Sequence, residues 1–263
     1  MSSPELNAAA GKTIAVLPLA AIEQHGPHLA VSTDSALVTS VGEAVEKRLP
    51  KIVLLCPTLH FGSSHHHFAF GGTLSISAEL YTRVVIDLVE SLLNGGFRRI
   101  VLLNGHGGNI TPVKQALSIL SCKWDDAAQP NIALVTYWEL GGAVLDGQAP
   151  METPALSHAC EYETSMMLHL FPKSVKPSRA RRAKRPPKCD YIGWEDDVPN
   201  RGVTMVKRTH FISDIGNSGQ PGLATAAKGR HLVEKAVSAA VDFMHSFKSW
   251  PFMGSLKRGK KRN

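Results

Sequence analysis

The sequence predicts an α/β fold whose largely parallel sheet is covered by helices on both faces. Apolar runs of strand length alternate with amphipathic segments of helical length along the 263-residue chain. This alternation is typical of parallel strands joined by helical crossovers. The sequence shows neither an internal repeat nor a linker long enough to divide it, so we predict one domain over residues 1–263.

Apolar and β-branched runs predict the strands, and apolar residues at helical spacing predict the helices. In the first half of the chain, Ser77 is a suitable cap for the start of one helix, and Gly95 and Gly96 are suitable for its end. The elements predicted there are strands at 13–19, 51–59 and 71–77 and helices at 34–48 and 77–96.

The second half of the chain continues the alternation. A strand that starts at Arg98 ends in the glycine-rich loop "NGHGGN" at residues 104–109. Residues 173–203 are rich in proline, arginine and glycine, which predicts a basic insertion. The remaining predicted elements are a strand at 131–140 and helices at 110–124, 155–171 and 223–247.

The basic character of the chain comes from two local runs. The formal net charge is +7, with 29 Lys and Arg against 22 Asp and Glu. Residues 173–188 hold eight of the cations and the tail at 257–263 holds five, which leaves 16 cations against 22 acids elsewhere. Charge runs usually lie in solvated loops or tails, so nucleic-acid binding is the minority interpretation. The sequence has no zinc-finger spacing and no aromatic-interleaved basic strand to support it.

The composition favours a cytoplasmic protein with reduced thiols. No apolar run approaches the roughly 18 residues of a membrane span, and the N-terminus does not resemble a secretory signal. We therefore expect no membrane association. The cysteines are scattered without a CxxC pair, which argues against a disulfide framework. They are Cys56, Cys122, Cys160 and Cys189.

Candidate metal ligands follow the first predicted strand directly. In "EQHGPHLAVSTD", Glu23, His25, His28 and Asp34 lie within twelve residues. Residues i and i+2 of an extended segment point to the same side, so Glu23 and His25 offer a carboxylate and an imidazole together. Asp34 lies at the expected start of a helix, where a carboxylate can give one oxygen to each of two metals. The competing interpretation is a solvated histidine loop followed by an ordinary N-cap aspartate.

Two further positions point to the same chemistry. His106 lies in the "NGHGGN" loop, whose glycines let the backbone approach a ligand closely. Glu163 lies at helical spacing with Met166 and Met167, so it shares their apolar face. A buried carboxylate is costly unless it pairs or binds a metal, which favours a functional role for Glu163 over an exposed position. Glu161 lies about 200° away around the helix and is predicted to be nearer to solvent.

A histidine-rich loop, "FGSSHHHFAFGGT" at residues 61–73, follows the second strand. Histidine runs bind metals adventitiously or lie in solvated loops, so we assign a pocket-lining role to one of the three histidines. Ligands bind at the carboxyl ends of the strands in open parallel sheets. Because each of these polar clusters follows a strand, we expect them to meet in one crevice.

These motifs resemble those of the creatininase family, the creatinine amidohydrolases and their relatives. "EQHGPHLAVSTD" is similar to its first signature, Glu-Gln-His-Gly-Pro-His-Leu-Pro followed by Thr-Asp, and "NGHGGN" resembles its second. "HACEYETSMML" resembles its third, and the histidine-rich loop places His67 at the family histidine. The resemblance runs from about residue 13 to about residue 240. It implies a three-layer α/β/α sandwich and a single creatininase-like metallohydrolase domain.

The resemblance also implies a site for two divalent ions per chain, with zinc, manganese or iron as the metal. Asp34 would bridge both ions, Glu23 and His106 would hold one, and His25 would hold the other. Creatininase has a glutamate two residues after the histidine of its second motif, where this chain has glycine, so the third-motif glutamate becomes the last ligand. The implied ligands are Glu23, His25, Asp34, His106 and Glu163.

The predicted reaction is hydrolysis of the C–N bond of a small cyclic amide or formamide by a metal-bridging hydroxide. His158 or Glu161 would carry the proton to the leaving nitrogen, and His67 would contact the substrate or the oxyanion. The chain departs from creatininase at Ser157, where creatininase has a glutamate, and at Cys160, where it has a glycine. A substrate other than creatinine is therefore expected.

Two alternatives to the amide hydrolase stay open at this point. The first is a ring hydrolase that opens a lactone or a cyclic keto-sugar at the same dinuclear site. The second is a metal-loaded protein that binds nucleic acid or another anion through residues 173–188 and the basic tail. Members of the family are commonly hexamers, so the resemblance also implies a homo-oligomer.

Overall fold

The described part of the chain is centred on a sheet of four parallel strands. They are β1 (Ile14–Leu19), β2 (Val53–Leu55), β3 (Arg99–Asn104) and β4 (Asn131–Thr136). Their order is β2-β1-β3-β4, and Val16 of β1 is in register with Leu55 on one side and Val101 on the other. The computed structural model describes residues 1–123, 129–140, 151–153, 156–187, 190 and 205–254.

Helices cover both faces of the sheet. Side chains of β1 alternate between two cores: Val16 packs with α2, α5 and α6, whereas Leu17 packs with α3 and α4 on the opposite face. The predicted α/β fold is therefore confirmed. The helices are α1 (Ser3–Ala10), α2 (Thr33–Arg48), α3 (Ala78–Asn94), α4 (Ile110–Ser121), α5 (Glu161–Leu170) and α6 (Ala226–Ser249).

Most predicted elements form close to their predicted bounds. The backbone N–H of Leu80 donates to the Ser77 hydroxyl at 3.3 Å, so Ser77 caps α3 as expected. The predicted strand at 71–77 is wrong, because only Leu74 pairs there, in an isolated bridge with Ile22. α5 starts at Glu161, several residues later than predicted, because Ala159 has a φ of 49°, which a right-handed helix excludes.

The first part of the predicted basic insertion is joined to the body of the protein. Val175 forms a bridge with Leu29, and the backbone N–H of Lys176 donates to the His28 carbonyl at 2.7 Å. Residues 188–189 and 191–203 of the insertion lie outside the described residues, and Cys189 is one of them. The tail at 257–263 also lies outside the described residues. Within the described ranges, the structure contains no helix that is long and apolar enough to cross a membrane.

Candidate metal centre

Five buried carboxylate and imidazole side chains meet at the carboxyl ends of the two central strands. Glu23 and His25 follow β1, and His106 follows β3. Asp34 lies in the first turn of α2, and Glu163 lies in the first turn of α5. Each is at most 7% exposed. The five ligands that the resemblance implied are thus brought together, and they are called the cluster below.

Asp34 lies between the two histidines of the cluster. Its Oδ1 is 3.1 Å from Nε2 of His25, and its Oδ2 is 3.1 Å from Nδ1 of His106. Each carboxylate oxygen therefore faces a different imidazole. This arrangement divides the cluster into two halves that share one aspartate.

The two glutamates lie on opposite sides of that aspartate. Glu23 Oε2 is 3.4 Å from Nδ1 of His106, in one half. Glu163 Oε1 is 3.8 Å from Nε2 of His25, in the other half. The second oxygen of Glu163 accepts a hydrogen bond from the backbone N–H of Ala159. The strained turn before α5 thus holds Glu163 towards His25.

The donor set and its spacing fit divalent metal ions. Two ligands bound tetrahedrally to zinc at about 2.1 Å lie about 3.4 Å apart, within the range of distances observed in the cluster. Glu23 Oε2, His25 Nε2 and Asp34 Oδ2 are buried and have no hydrogen-bond partner among the described residues. Buried polar atoms without a partner are rare and costly, and a cation would satisfy all three.

In His25 and His106, the ring nitrogen that points away from the cluster is held by a hydrogen bond, which leaves the nitrogen that faces the cluster free to accept. Nδ1 of His25 donates to the Glu23 carbonyl at 3.1 Å, so its Nε2 faces the cluster without a proton in the neutral ring. Nε2 of His106 lies 3.2 Å from the Ser63 carbonyl and 2.9 Å from the Ser64 hydroxyl, which leaves Nδ1 inward. Backbone partners of this kind commonly orient metal-binding histidines.

The electrostatics of the cluster favour positive charge at its centre. Burial lowers the pKa of His25 and His106, but the facing carboxylates outweigh it. Asp34 and Glu163 hold the pKa of His25 well above its usual value, and Glu23 and Asp34 raise that of His106 to about 10. Burial also raises the pKa of Glu163. Without a metal, protons on His25 and His106 offset the negative charge of the carboxylates that face them, and a divalent cation would take the place of those protons.

His67 faces the cluster with a protonated nitrogen. Its Nδ1 accepts from the side-chain amide of Gln24 at 2.7 Å, so the ring proton lies on Nε2, 3.5 Å from Glu23 Oε1. Burial lowers the pKa of His67 to about 3, which keeps the ring neutral at pH 7. His67 therefore presents a hydrogen-bond donor to the cavity over the cluster.

His158 faces the same cavity, but the nitrogen that it presents carries no proton. Its Nε2 donates to the Gln24 carbonyl at 2.8 Å, so Nδ1 carries the lone pair and lies 3.4 Å from Glu23 Oε1. Burial, together with His25 and His67, holds the pKa of His158 well below its usual value. His158 thus offers a proton acceptor where His67 offers a donor.

Glu161 does not reach the cluster. Its carboxylate accepts from Nζ of Lys228 at 2.6 Å and from the backbone N–H and hydroxyl of Thr153. It is completely buried, so the prediction that it lies nearer to solvent is wrong. The structure gives this glutamate an ion-pair partner on α6, Lys228, and its role in proton transfer stays a prediction.

The cavity over the cluster, called the inner cavity here, has a volume of about 320 Å³. Trp138 and Leu156 supply apolar surface to its lining. Sequence reasoning missed Trp138, although it follows the end of β4 as the other site residues follow β1 and β3. The lining also includes Glu23, Asp34, His66, His67, His106, Ser157, His158 and Glu163.

Gly108 leaves no room for a side chain. A Cβ atom there would overlap the Ser63 carbonyl oxygen and Nε2 of His106. A glutamate at this position, as in creatininase, would require the Ser63 backbone to move. The geometry therefore agrees with Glu163 as the remaining carboxylate of the cluster.

His28 lies near the cluster but outside it. Its Nε2 is 2.9 Å from the hydroxyl of Thr164. Burial, followed by the nearby His25, lowers the pKa of His28 to about 4. Of the four candidate ligands in the first motif, His28 is thus the one that the structure places with a hydroxyl partner instead of a carboxylate.

Comparisons with known proteins agree with the motifs. A sequence model of the creatininase family, described as creatinine amidohydrolase, matches residues 1–244. The mycofactocin precursor peptide peptidase of Mycobacterium tuberculosis is 32% identical over 235 residues, covering 86% of this chain and 82% of that protein. The creatinine amidohydrolase of Pseudomonas putida is 30% identical over 186 residues, covering 66% and 71%. A crystal structure of creatinine amidohydrolase matches with a TM-score of 0.73 at 26% identity, covering 95% of this chain and 97% of that one.

Proposed function

Because this chain belongs to the creatininase family of amidohydrolases, we propose that it hydrolyses the C–N bond of a small cyclic amide or formamide with two divalent metal ions. The observation that carries the proposal is the position of Asp34, whose two oxygens face His25 and His106 separately at 3.1 Å. A carboxylate in this position would be able to offer one oxygen to each of two ions.

The cluster would hold the two ions in its two halves. Glu23 and His106 would bind one ion, and His25 and Glu163 would bind the other, with Asp34 between them. Zinc, manganese and iron all suit imidazole and carboxylate ligands. When bound, such ions lower the pKa of water and polarise the carbonyl of an amide.

The neutral histidines of the inner cavity complete the chemistry. His67 would donate from Nε2–H to the oxygen that becomes negative when the amide carbonyl is attacked. His158 would take a proton on Nδ1 and pass it to the leaving nitrogen, because its Nε2 is held by the Gln24 carbonyl. We leave Glu161 out of the proposed reaction, since its carboxylate is paired with Lys228.

The substrate is proposed to be an amide other than creatinine. The absence of a side chain at Gly108 and the replacement of glutamate by Ser157 separate this chain from creatininase. The relative from M. tuberculosis is named for a precursor peptide, so short peptides belong in the same substrate panel. A lactone or keto-sugar ring is the competing substrate class for the same site.

Metal analysis and product analysis test the proposal together. Protein purified without a histidine tag should contain about two divalent ions per chain after reconstitution, and Asp34→Ala should lose both. The wild type should release an amine from a panel of cyclic amides, formamides and peptides. If the reconstituted wild type binds no metal, the proposal is wrong. If it opens only lactones or keto-sugars, the ring-hydrolase alternative replaces it.

We also propose a cytoplasmic homo-oligomer, a hexamer by family resemblance, that does not depend on nucleic acid. Among the described residues, no disulfide joins Cys56, Cys122 and Cys160 to one another, which agrees with a reducing compartment. Light scattering coupled to gel filtration would give the mass of the assembly.

Binding of a DNA or RNA oligonucleotide that weakens with salt and is indifferent to Asp34→Ala would instead support the binding-protein alternative.

A further inference from the structure

A second cavity adjoins the inner cavity and has no role in the reaction described so far. Its volume is about 520 Å³, and it is called the outer cavity here. His66 lines both cavities, and its ring stacks on that of His106 with the centroids 6.0 Å apart. His66 is therefore common to the linings of the outer cavity and of the cavity over the cluster. Its lining is formed chiefly by His65, His66, Phe68, Val206, Arg208 and His210.

The lining of the outer cavity combines apolar surface with one fixed positive charge. Phe68 is 51% exposed and Val206 is 82% exposed, although both side chains are apolar. The Arg208 side chain makes no hydrogen bond or ion pair with any described residue, and none of the described lining residues carries a carboxylate. Such a surface suits a ligand that is apolar along its length and anionic at one end.

The two walls of the outer cavity are linked to the reaction centre. One wall is the turn His65–Phe70, which also contains His67, and the other is the turn Thr209–Phe211. The hydroxyl of Thr209 lies 3.0 Å from Nδ1 of His67 and joins the two turns. A substrate long enough to reach both cavities would have its amide over the cluster and another of its groups between these two walls.

We propose that the outer cavity binds the leaving side of the substrate, and that this side is an apolar amino acid with a free carboxylate that pairs with Arg208. The inference rests on the proposed function and specifies its substrate as an N-acyl amino acid, with N-formylphenylalanine as the simplest probe. In that reaction the oxygen of water bonds to the formyl carbon and the C–N bond breaks. The nitrogen gains a proton, and the products are formate and phenylalanine.

The test compares N-formylphenylalanine with N-formylphenylalaninamide, which lacks only the charged carboxylate. On the wild-type holoenzyme, kcat/KM for the acid should exceed that for the amide by about fivefold, the size expected of one solvent-accessible ion pair. Arg208→Gln should abolish this preference, and Arg208→Lys should keep part of it. The matched control is Arg83→Gln, because Arg83 is exposed on α3 and does not line either cavity. It should leave the preference unchanged.

A binding measurement separates this inference from the proposed function. Calorimetry of phenylalanine and phenylalaninamide with the holoenzyme requires no turnover, and Arg208→Gln should weaken only the binding of phenylalanine. If no formamide is hydrolysed but this binding difference appears, the proposed reaction is wrong and the proposal for the outer cavity is supported. If formamides are hydrolysed and Arg208→Gln changes neither the preference nor the binding, the outer-cavity proposal is overturned. A change in assembly mass with Arg208→Gln and no effect on ligands would also overturn it, in favour of a subunit contact.

Discussion

Gln24 donates its side-chain amide to Nδ1 of His67 at 2.7 Å, and this contact decides which nitrogen of His67 carries the proton. The amide of Gln24 is itself fixed at both ends. The backbone N–H of Gly26 donates to its Oε1 at 3.0 Å, and the Gly216 carbonyl accepts from its Nε2 at 2.8 Å. With Nδ1 engaged as an acceptor, Nε2–H of His67 faces the cluster.

Gln24→Glu should therefore impair turnover without removing the metals. A carboxylate would accept from Nδ1 of His67 and turn a lone pair towards the cavity, which removes the donor proposed for the oxyanion. We expect kcat to fall by roughly 10²-fold, as for the loss of one oxyanion donor, with metal content unchanged. Imidazole ¹⁵N chemical shifts would report the change of tautomer directly. Gln115→Glu makes the same substitution at an exposed position on α4 and serves as the control, so an equal loss in that variant would contradict the argument.

Glu163→Gln should lose one ion and keep the other. The amide is a weaker ligand, and it affects only the half of the cluster that contains His25. Elemental analysis should show about one ion per chain, with turnover nearly abolished. The control is His28→Gln, a buried histidine outside the cluster, which should retain both ions. Two tightly held ions in Glu163→Gln would show that another residue completes the site.

Glu161→Gln should destabilise the fold while leaving the metals in place. The substitution leaves Lys228, which is only 8% exposed, without its closest carboxylate. Because Lys228 Nζ keeps Glu152 at 3.0 Å, the expected cost is about 1.5–3 kcal/mol, the value of one hydrogen bond to a charged group, which chemical denaturation would detect. The double variant Glu161→Gln/Lys228→Met should recover part of that loss. A large fall in turnover at unchanged stability would instead restore the catalytic role first predicted for Glu161.

Gly108→Ala should destabilise the loop that carries His106. The added methyl group would overlap the Ser63 carbonyl, and overpacking of this kind costs about 1–3 kcal/mol. Gly107 is the matched control, because a Cβ atom at that position meets nothing within 4 Å. Thermal unfolding of Gly107→Ala and Gly108→Ala should therefore differ by several degrees. Equal melting temperatures would mean that the Ser63 backbone adjusts freely.

The full set of five side chains in the cluster came from the family resemblance, but local sequence patterns were sufficient to predict the parallel sheet and the main helices. Strand residues such as Val16 and Val101 are apolar because both faces of a parallel sheet are covered, and this leaves a readable pattern. The burial of Glu163 with Met166 followed correctly from helical spacing. These features depend on residues that are near one another in sequence.

Features set by distant partners were not predictable in the same way. Glu161 lies away from the apolar face of α5, yet α6 packs on that side and brings Lys228 to it. The partner is 67 residues further along the chain. The late start of α5 depends on the positive φ of Ala159, a residue type that rarely adopts it. Neither feature has a signal in the surrounding sequence.

The position of β1 inside the sheet has a consequence for the newly made chain. β1 is the first strand synthesised, but its neighbour β3 follows some eighty residues later, at Arg99–Asn104. Until β3 emerges from the ribosome, one edge of β1 has no strand to pair with, and an unpaired apolar edge favours aggregation. His106 comes immediately after β3, so the step that closes this edge also delivers the first distant ligand to Glu23 and Asp34. Truncated chains that end before β3 should therefore need a chaperone more than chains that end after it.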